Sequence, residues 1–324
     1  MNILIYEYFF GEHAKHDSSP LIFNEAKLII DSIVKDLSCE YNNSKISLLI
    51  NKKNKKLLNE YNHFYRNYKY DISKDIANNI KTNDKVLILT PEENNMMYDI
   101  TRFLEHENIE TLNCSSEFIY NSTNKINLNK ILNKNSNKYL VRTHKNYKKI
   151  PENRSIVAKV NDGLGAQNLF IFKNRSELEK NIDKITDKHI FQDFIFGNVV
   201  SLNILAKDSK LEILSINEQI YSYSSKYEIY LDKIIIGKYN HMIKNFEIFA
   251  NSILSNLEGF SGFLGIDAIL DKNNNIIFLE INPRLTTSYI GLKESIGKNP
   301  LTIFNNKYNF KISNNKLITL NISK

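Results

Sequence analysis

Gly262-Phe-Leu-Gly-Ile-Asp-Ala-Ile-Leu270, then the polar turn Asp271-Lys-Asn-Asn-Asn275, then Ile276-Ile-Phe-Leu-Glu-Ile-Asn-Pro-Arg284: this stretch decides the fold. Two apolar, β-branched runs around a turn rich in Asn and Asp read as a strand, a turn and a returning strand. Side chains alternate along a strand, so Glu280 and Asn282 share a face. The returning chain brings Asp267 beside them. Buried strands rarely carry a carboxylate without a partner. Three hard oxygen ligands on one face suit Mg²⁺ (or Mn²⁺) that also holds nucleotide phosphates. For Glu280 the competing reading is a structural ion pair with Lys or Arg. Arg284, just beyond Pro283, has a guanidinium suited to bidentate contact with phosphate or carboxylate. A surface salt bridge is its plainer alternative.

About a hundred residues upstream lies Val157-Ala-Lys-Val-Asn-Asp-Gly-Leu-Gly-Ala166. Lys159 sits in an apolar strand, where an ammonium needs an anion. Gly163 and Gly165 let the backbone approach phosphate oxygens and donate N–H groups. No G-K-[ST] follows, so this is not a Walker A loop, and the loop joins two strands, not a strand and a helix. Alone it reads as a hairpin turn. With the downstream carboxylates it reads as a phosphate cradle. Together the segments imply ATP, a divalent metal and chemistry at a phosphoryl group.

The rest of the chain sets the frame. At 324 residues, 42% hydrophobic and 24% charged, it can form two or three subdomains with a substantial core. The first ten residues read as a strand, not a signal peptide, and no apolar run reaches membrane-spanning length. Cys39 and Cys114 form neither a metal motif nor a disulfide framework. A cytoplasmic protein is expected. The net charge of +7 comes from scattered lysines and argues for compositional bias over nucleic-acid binding. The seven histidines lack ligand spacing, and no G-x-S-x-G motif supports a nucleophilic hydrolase.

Within residues 1–115, strands at Asn2–Tyr8, Lys45–Asn51, Lys85–Thr90 and Ile109–Leu112 alternate with helices at Pro20–Leu37, Asp71–Lys81 and Met96–Glu107. That pattern predicts a small open parallel sheet. Ligands gather at the carboxyl ends of such strands, which puts Glu7, Tyr8, Glu92 and Glu93 at the edge of a site, with solvated loop carboxylates as the equal alternative. A short helix is expected in 121–137, strands at Ile156–Lys159 and Asn168–Phe172, and a helix at Ser176–Ile185. Strands at Ile190–Ile195, Val199–Ala206, Leu211–Glu218, Phe263–Leu270 and Ile276–Ile281 accompany a helix at Phe246–Leu257. Residues 220–242, with Tyr221, Tyr223, Tyr227, Tyr230 and Tyr239, read as a loop whose tyrosines are either a cover or aromatic wall for the site or interface and surface residues. Residues 307–324 read as a closing hairpin.

These residues resemble the ATP-grasp superfamily of carboxylate–amine ligases: the small first domain, Val157-Ala-Lys159 with its Gly loop, Phe191-Gln-Asp-Phe-Ile195 with Gly197, and the Asp267/Glu280/Asn282 set. The resemblance implies an α/β (α+β) ATP-grasp fold. It divides the chain into a pre-ATP-grasp domain (1–115), a small subdomain with the Gly-rich phosphate loop (116–190) and a C-terminal subdomain with the metal site (191–324). It implies that Gln192, Asp193, Phe194 and Ile195 line the adenine pocket, that Lys125 is a further phosphate lysine, and that Glu280 bridges two Mg²⁺ or Mn²⁺ ions. Within the superfamily the chain resembles the tyramine–L-glutamate ligases of methanofuran biosynthesis, through Ile5-Tyr-Glu-Tyr8, Leu89-Thr-Pro-Glu-Glu93 and Glu280 to Leu292. There Thr286, Thr287, Ser288 and Tyr289 fall beside the metal site, where an amino-acid substrate would lie. Phe9-Phe10-Gly11 replaces the glycine-rich run common in relatives. Gly265 replaces an arginine of D-alanine ligases, so their substrate pocket is not carried over.

The implied reaction is ADP-forming amide synthesis through an acyl phosphate, with Lys159 and Arg284 as the catalytic pair. The substrates are small molecules, with no nucleic-acid or membrane partner. A homodimer is left open. The alternatives are a ligase for another acid–amine pair or an ATP-binding regulatory protein without turnover.

Overall fold

Unbroken apolar runs build the first sheet. The computed structural model describes residues 2–12, 20–41, 45–58, 61–81, 84–133, 137–163, 168–207, 210–223, 229–305 and 316–322. Strand β1 (Ile3–Glu7) is buried at all five positions, as expected of a strand covered on both faces. After α1 (Tyr8–Gly11) and α2 (Pro20–Ser38) come β2 (Ile46–Ile50), β3 (Asn62–Tyr65), α3 (Ile72–Asn78), β4 (Lys85–Leu89), α4 (Met96–His106) and β5 (Glu110–Thr111). The five strands pair in parallel in the order β3-β2-β1-β4-β5. One face of the sheet packs on α2 through Ile30, Ile33 and Leu37. The other packs on α3 and α4 through Ile76, Ile100 and Leu104. Each such side chain contributes about 1.5–3 kcal/mol on burial.

Helices α5 (Ser116–Thr123) and α6 (Lys125–Leu132) follow. Ser115 and Asn124 cap them, accepting hydrogen bonds from the Phe118 and Asn127 N–H groups at 3.2 and 2.9 Å. A second sheet holds β6 (Thr143–His144), β7 (Ile156–Val160), β8 (Phe170–Phe172) and, after α7 (Arg175–Lys180), β9 (His189–Asp193). It is antiparallel, in the order β6-β9-β7-β8. The third sheet comprises β10 (Gly197–Lys207), β11 (Lys210–Tyr223) and β12 (Ile229–Ile236). After α8 (Ile243–Leu254) it continues with β13 (Gly262–Asp271) and β14 (Ile276–Asn282), and after α9 (Leu292–Ile296) it ends with β15 (Ile318–Asn321). Its order is β14-β13-β10-β11-β12-β15, antiparallel throughout.

One face of this third sheet packs under α5, α6 and α8, with Phe118, Leu128, Phe246 and Phe249 against Leu202, Ile216 and Ile266. The other face sends Leu205, Leu214 and Phe263 into the same core as α2 and the first sheet. A buried hydrogen bond of 2.7 Å, donated by the Tyr289 hydroxyl to Asp36 on α2, ties the two units together.

Two expectations need correction. Where residues 220–242 are described they are largely strand: β11 runs on to Tyr223, and Ile229–Ile236 is a strand paired to both β11 and β15, while 224–228, with Tyr227, lie outside the described residues. The tyrosines hid an ordinary alternation, because aromatic residues are themselves good strand formers. Strand β3 was not expected, since Asn62-His-Phe-Tyr65 is half polar; it is the sheet edge, where one side faces water. Of the closing hairpin, β15 pairs with β12, and residues 306–315 lie outside the described residues.

Candidate active site

Strands β13 and β14 set the site's geometry. Asp267 pairs with Glu280 and Gly265 with Asn282. Ala268 pairs with Phe278, so Leu279 is an extra residue, and the bulge bends β14 where its acidic residue begins. Glu280 and Asn282 share the face that the period of two requires. The Asn282 amide donates to Asp267 Oδ2 at 3.0 Å. All three line one cleft of about 930 Å³ between the three sheets. Gly265 matters here because a Cβ would stand 2.8 Å from Thr286 Cγ2, so a larger residue would push Thr286 off the sheet.

Cations face this acidic group from the second sheet and from α6. Lys159, on β7, is only 8% exposed and lines the cleft. Burial pulls its ammonium down to about 8, with Glu280 opposing and Lys125 adding to the fall. Lys125, the first residue of α6, pairs with Glu280 Oε2 at 3.2 Å and donates to the Gly163 carbonyl at 3.1 Å. It joins the Gly163 turn after β7 to the acidic strand. Gly163 lines the cleft, whereas Gly165 lies outside the described residues.

The two carboxylates are set apart electrostatically. Burial raises Asp267 to about 7, and the neighbouring charge of Glu280 adds to it. Burial also works against ionised Glu280, but Lys125 and Lys159 outweigh it and hold Glu280 below its ordinary value. A buried pair of facing carboxylates with an amide beside it is an oxygen-rich donor set, and Arg284 and Lys159 only partly offset the burial of Asp267. The set fits a hard divalent cation. Among the described residues no three His, Cys, Asp or Glu side chains gather for a metal; the third polar group beside Asp267 and Glu280 is the Asn282 amide.

Arg284 reaches across the cleft to the first domain. Its Nε and Nη2 donate to the two carboxylate oxygens of Glu92 at 2.9 and 3.3 Å, and Nη1 donates to the Leu285 carbonyl at 3.1 Å. Burial alone would lower its pKa, but Glu92, then Glu25 and Glu7, raise it. Glu92 itself does not line the cleft; it grips Arg284 from behind.

Gln192, Asp193, Phe194 and Ile195 line the far end of the cleft, where β9 gives way to β10. The Gln192 amide donates to Thr143 Oγ1 at 2.7 Å, and the Phe194 N–H donates to the Ser155 carbonyl at 2.9 Å. Asp193 pairs with Arg154 at 3.2 Å through Oδ2, while its Oδ1 is buried without a hydrogen-bond partner among the described residues. At the opposite end, Thr286 and Ser288 donate to Asn203 Oδ1 at 3.2 and 3.0 Å, and Thr287 donates to Glu25 on α2. Glu7 lines the cleft and caps α1, accepting from the Phe10 N–H at 3.1 Å. Burial lifts its carboxyl to about 8. Tyr8 and Glu93 are not brought to the cleft lining; Tyr8 packs edge-on to Phe9.

Three residues escape a reading by sequence motif. Glu25 is one turn into an amphipathic helix, where a carboxylate reads as solvated. Asn203 is a buried amide in a long strand, only 6% exposed, which orients the Thr286–Ser288 turn. Tyr221 was recognised only as one of five clustered tyrosines. It lines the cleft, and burial, then the charges of Asp267 and Glu280, keep its phenol protonated.

Residues 122–288 match the ATP-grasp domain family. The chain is 30% identical over 242 residues to tyramine–L-glutamate ligase of Methanocaldococcus jannaschii, a match spanning 72% of this chain and 67% of that one. An ATP-grasp superfamily protein from Archaeoglobus fulgidus superimposes with a TM-score of 0.77 at 17% identity, covering 99% of this chain and 92% of that one. The biotin carboxylase domain of 2-oxoglutarate carboxylase from Hydrogenobacter thermophilus, solved with MgADP, ADP and bicarbonate, superimposes with a TM-score of 0.70 at 10% identity, over 96% and 71%.

Proposed function

Because the chain belongs to the ATP-grasp family and is an ATP-dependent carboxylate–amine ligase, we propose that it joins the γ-carboxylate of L-glutamate to tyramine, a step of methanofuran biosynthesis. One observation carries the reading. Asp267, Glu280 and Asn282 face Lys125 and Lys159 across a single cleft, with Arg284 clamped beside them. That is the charge layout needed to hold a polyphosphate and a carboxylate together.

In this proposal Asp267, Glu280 and Asn282 would hold two divalent cations, Mg²⁺ or Mn²⁺, which would supply charge neutralisation for the phosphate chain. Lys159, Lys125 and the loop from Gly163 to Gly165 hold the phosphates of ATP. The segment Gln192–Ile195 receives the adenine. The acid's carboxylate oxygen attacks the γ-phosphorus and the bond to ADP breaks, giving an acyl phosphate. Arg284, fixed by Glu92, stabilises charge on the group in transfer. The amine nitrogen then attacks the acyl carbon, phosphate leaves with the carboxylate oxygen, and the amine proton passes to solvent. Thr286, Thr287, Ser288 and Glu7 form the substrate end of the cleft, with Glu92 acting through Arg284. Tyr221 is a wall against water, which would hydrolyse the acyl phosphate. The functional division is 1–115, 116–190 and 191–324, and the substrates are small molecules.

The test is ADP release from ATP and Mg²⁺ with L-glutamate, with and without tyramine, followed by the product mass. Tyramine-dependent release with a glutamyl-tyramine mass supports the reading. Release only with other acid–amine pairs replaces the substrates and keeps the chemistry.

A further inference from the structure

The cleft has a lobe that the nucleotide and metal residues leave unused. Helix α2 turns Ile22, Glu25, Ala26 and Ile29 toward the cleft, positions three and four apart on one helical stripe. Ile22, Glu25 and Ile29 remain partly exposed, although the neighbouring stripe of Ile30, Ile33 and Leu37 is sealed in the core. Phe9 of α1 adds an aromatic wall. Glu25 is the one charged group on this stripe. It accepts a hydrogen bond from Thr287, three residues past Arg284, so the apolar lobe opens beside the proposed reaction centre.

The charge of the lobe selects its occupant. Arg284 is engaged in both directions by Glu92 and so faces the lobe already paired. Glu25 therefore leaves the wall acidic, while the buried Glu7 carboxyl beside it stays protonated near neutral pH. Thr90, at the end of β4, lines the same cleft at 2% exposure, with a hydroxyl that has no hydrogen-bond partner among the described residues. A dicarboxylic acid would be repelled here and would leave the apolar stripe wet. A cation with an apolar body satisfies both surfaces.

We infer that this lobe is the acceptor-amine subsite, with Glu25 holding the amine as its ammonium until one proton passes to solvent and frees the nitrogen to attack, and with Ile22, Ile29 and Phe9 packing an aryl or similarly bulky body. The inference rests on the ligase reading and assigns to α2 the choice of amine.

The experiment uses the full chain with ATP, Mg²⁺ and L-glutamate. Hydroxylamine, small and neutral, traps the activated acid as a hydroxamate and reports the first step without the lobe. Glu25→Gln is expected to raise the KM for tyramine roughly 10- to 100-fold, the worth of one charge-assisted hydrogen bond. The KM for L-glutamate and the hydroxamate yield change far less than the KM for tyramine, because a glutamine oxygen still accepts the Thr287 hydrogen bond and Glu92 still holds Arg284. Ile29→Phe raises the KM for tyramine but not for methylamine. On the wild-type protein, phenethylamine competes with tyramine at least about tenfold better than 4-(2-hydroxyethyl)phenol, tyramine's neutral alcohol analogue. An unchanged tyramine KM in Glu25→Gln, a rise confined to L-glutamate, or equal inhibition by the amine and the alcohol overturns the assignment. Absence of both ADP and hydroxamate in the wild type defeats the ligase reading, and the subsite with it.

Discussion

Glu7 offers a test of the site's electrostatics that needs no substrate. Its side chain is 7% exposed, and burial is the main reason its carboxyl rises from 4.5 to about 8, against the opposing pull of the Phe10 and Phe9 N–H groups and Arg284. Each pH interval of one costs 1.36 kcal/mol, so the shift corresponds to at most about 5 kcal/mol. The sign follows from the direction. An acid with a raised folded-state pKa leaves stability intact below 4.5 and removes it progressively as pH climbs through about 8. Glu7→Gln keeps an oxygen for the Phe10 N–H, 3.1 Å away, and has no charge to bury. Urea unfolding of both proteins at pH 5, 6.5 and 8 should show near-equal stability at the lowest pH. By the highest, the variant should be ahead by about 2–4 kcal/mol. Parallel pH profiles, or a variant that loses ground as pH rises, would refute the reasoning that Glu7 is held in a desolvated pocket.

Further outcomes follow from the same contacts. Glu92→Gln strips the bidentate partner from Arg284; because Glu25 and Glu7 remain nearby, stability should fall by about 1–3 kcal/mol in urea unfolding, and turnover by at least about tenfold, with Glu92→Asp recovering part of the turnover. Glu280→Gln should abolish turnover while circular dichroism stays unchanged, whereas near-normal ligation by that variant would sink the metal assignment. Gly197→Val should destabilise by about 1–3 kcal/mol and weaken ATP binding in calorimetry, since a Cβ there would meet the Leu270 carbonyl oxygen at 2.4 Å and pry β10 from β13 beside Gln192–Ile195.

How much of this was legible in the chain depends on the range of the interaction. The period of two placed Glu280 and Asn282 together, and the polar turn returned Asp267 to them, because those are local consequences of strand geometry. The bulge at Leu279 was not legible, since a single inserted residue leaves no mark in the hydrophobic pattern. The parallel first sheet followed from strands alternating with helices. Strand β12 was missed because clustered tyrosines around a polar stretch imitate a loop until the neighbouring strand is known. Arg284 was flagged for a phosphate or carboxylate partner, but that Glu92 is the partner, 192 residues away, is a tertiary fact. Glu25 was invisible for the same reason: the α2 stripe is a cleft wall only once the Thr286–Ser288 turn is docked against it.

The central claim is that a carboxylate is activated by phosphoryl transfer in this cleft. The most direct measurement is turnover with L-glutamate carrying ¹⁸O in its γ-carboxylate, followed by mass analysis of the released phosphate. The account predicts one ¹⁸O atom in each phosphate formed with tyramine, because the attacking oxygen leaves with the phosphoryl group. Unlabelled phosphate accompanying amide formation would contradict it.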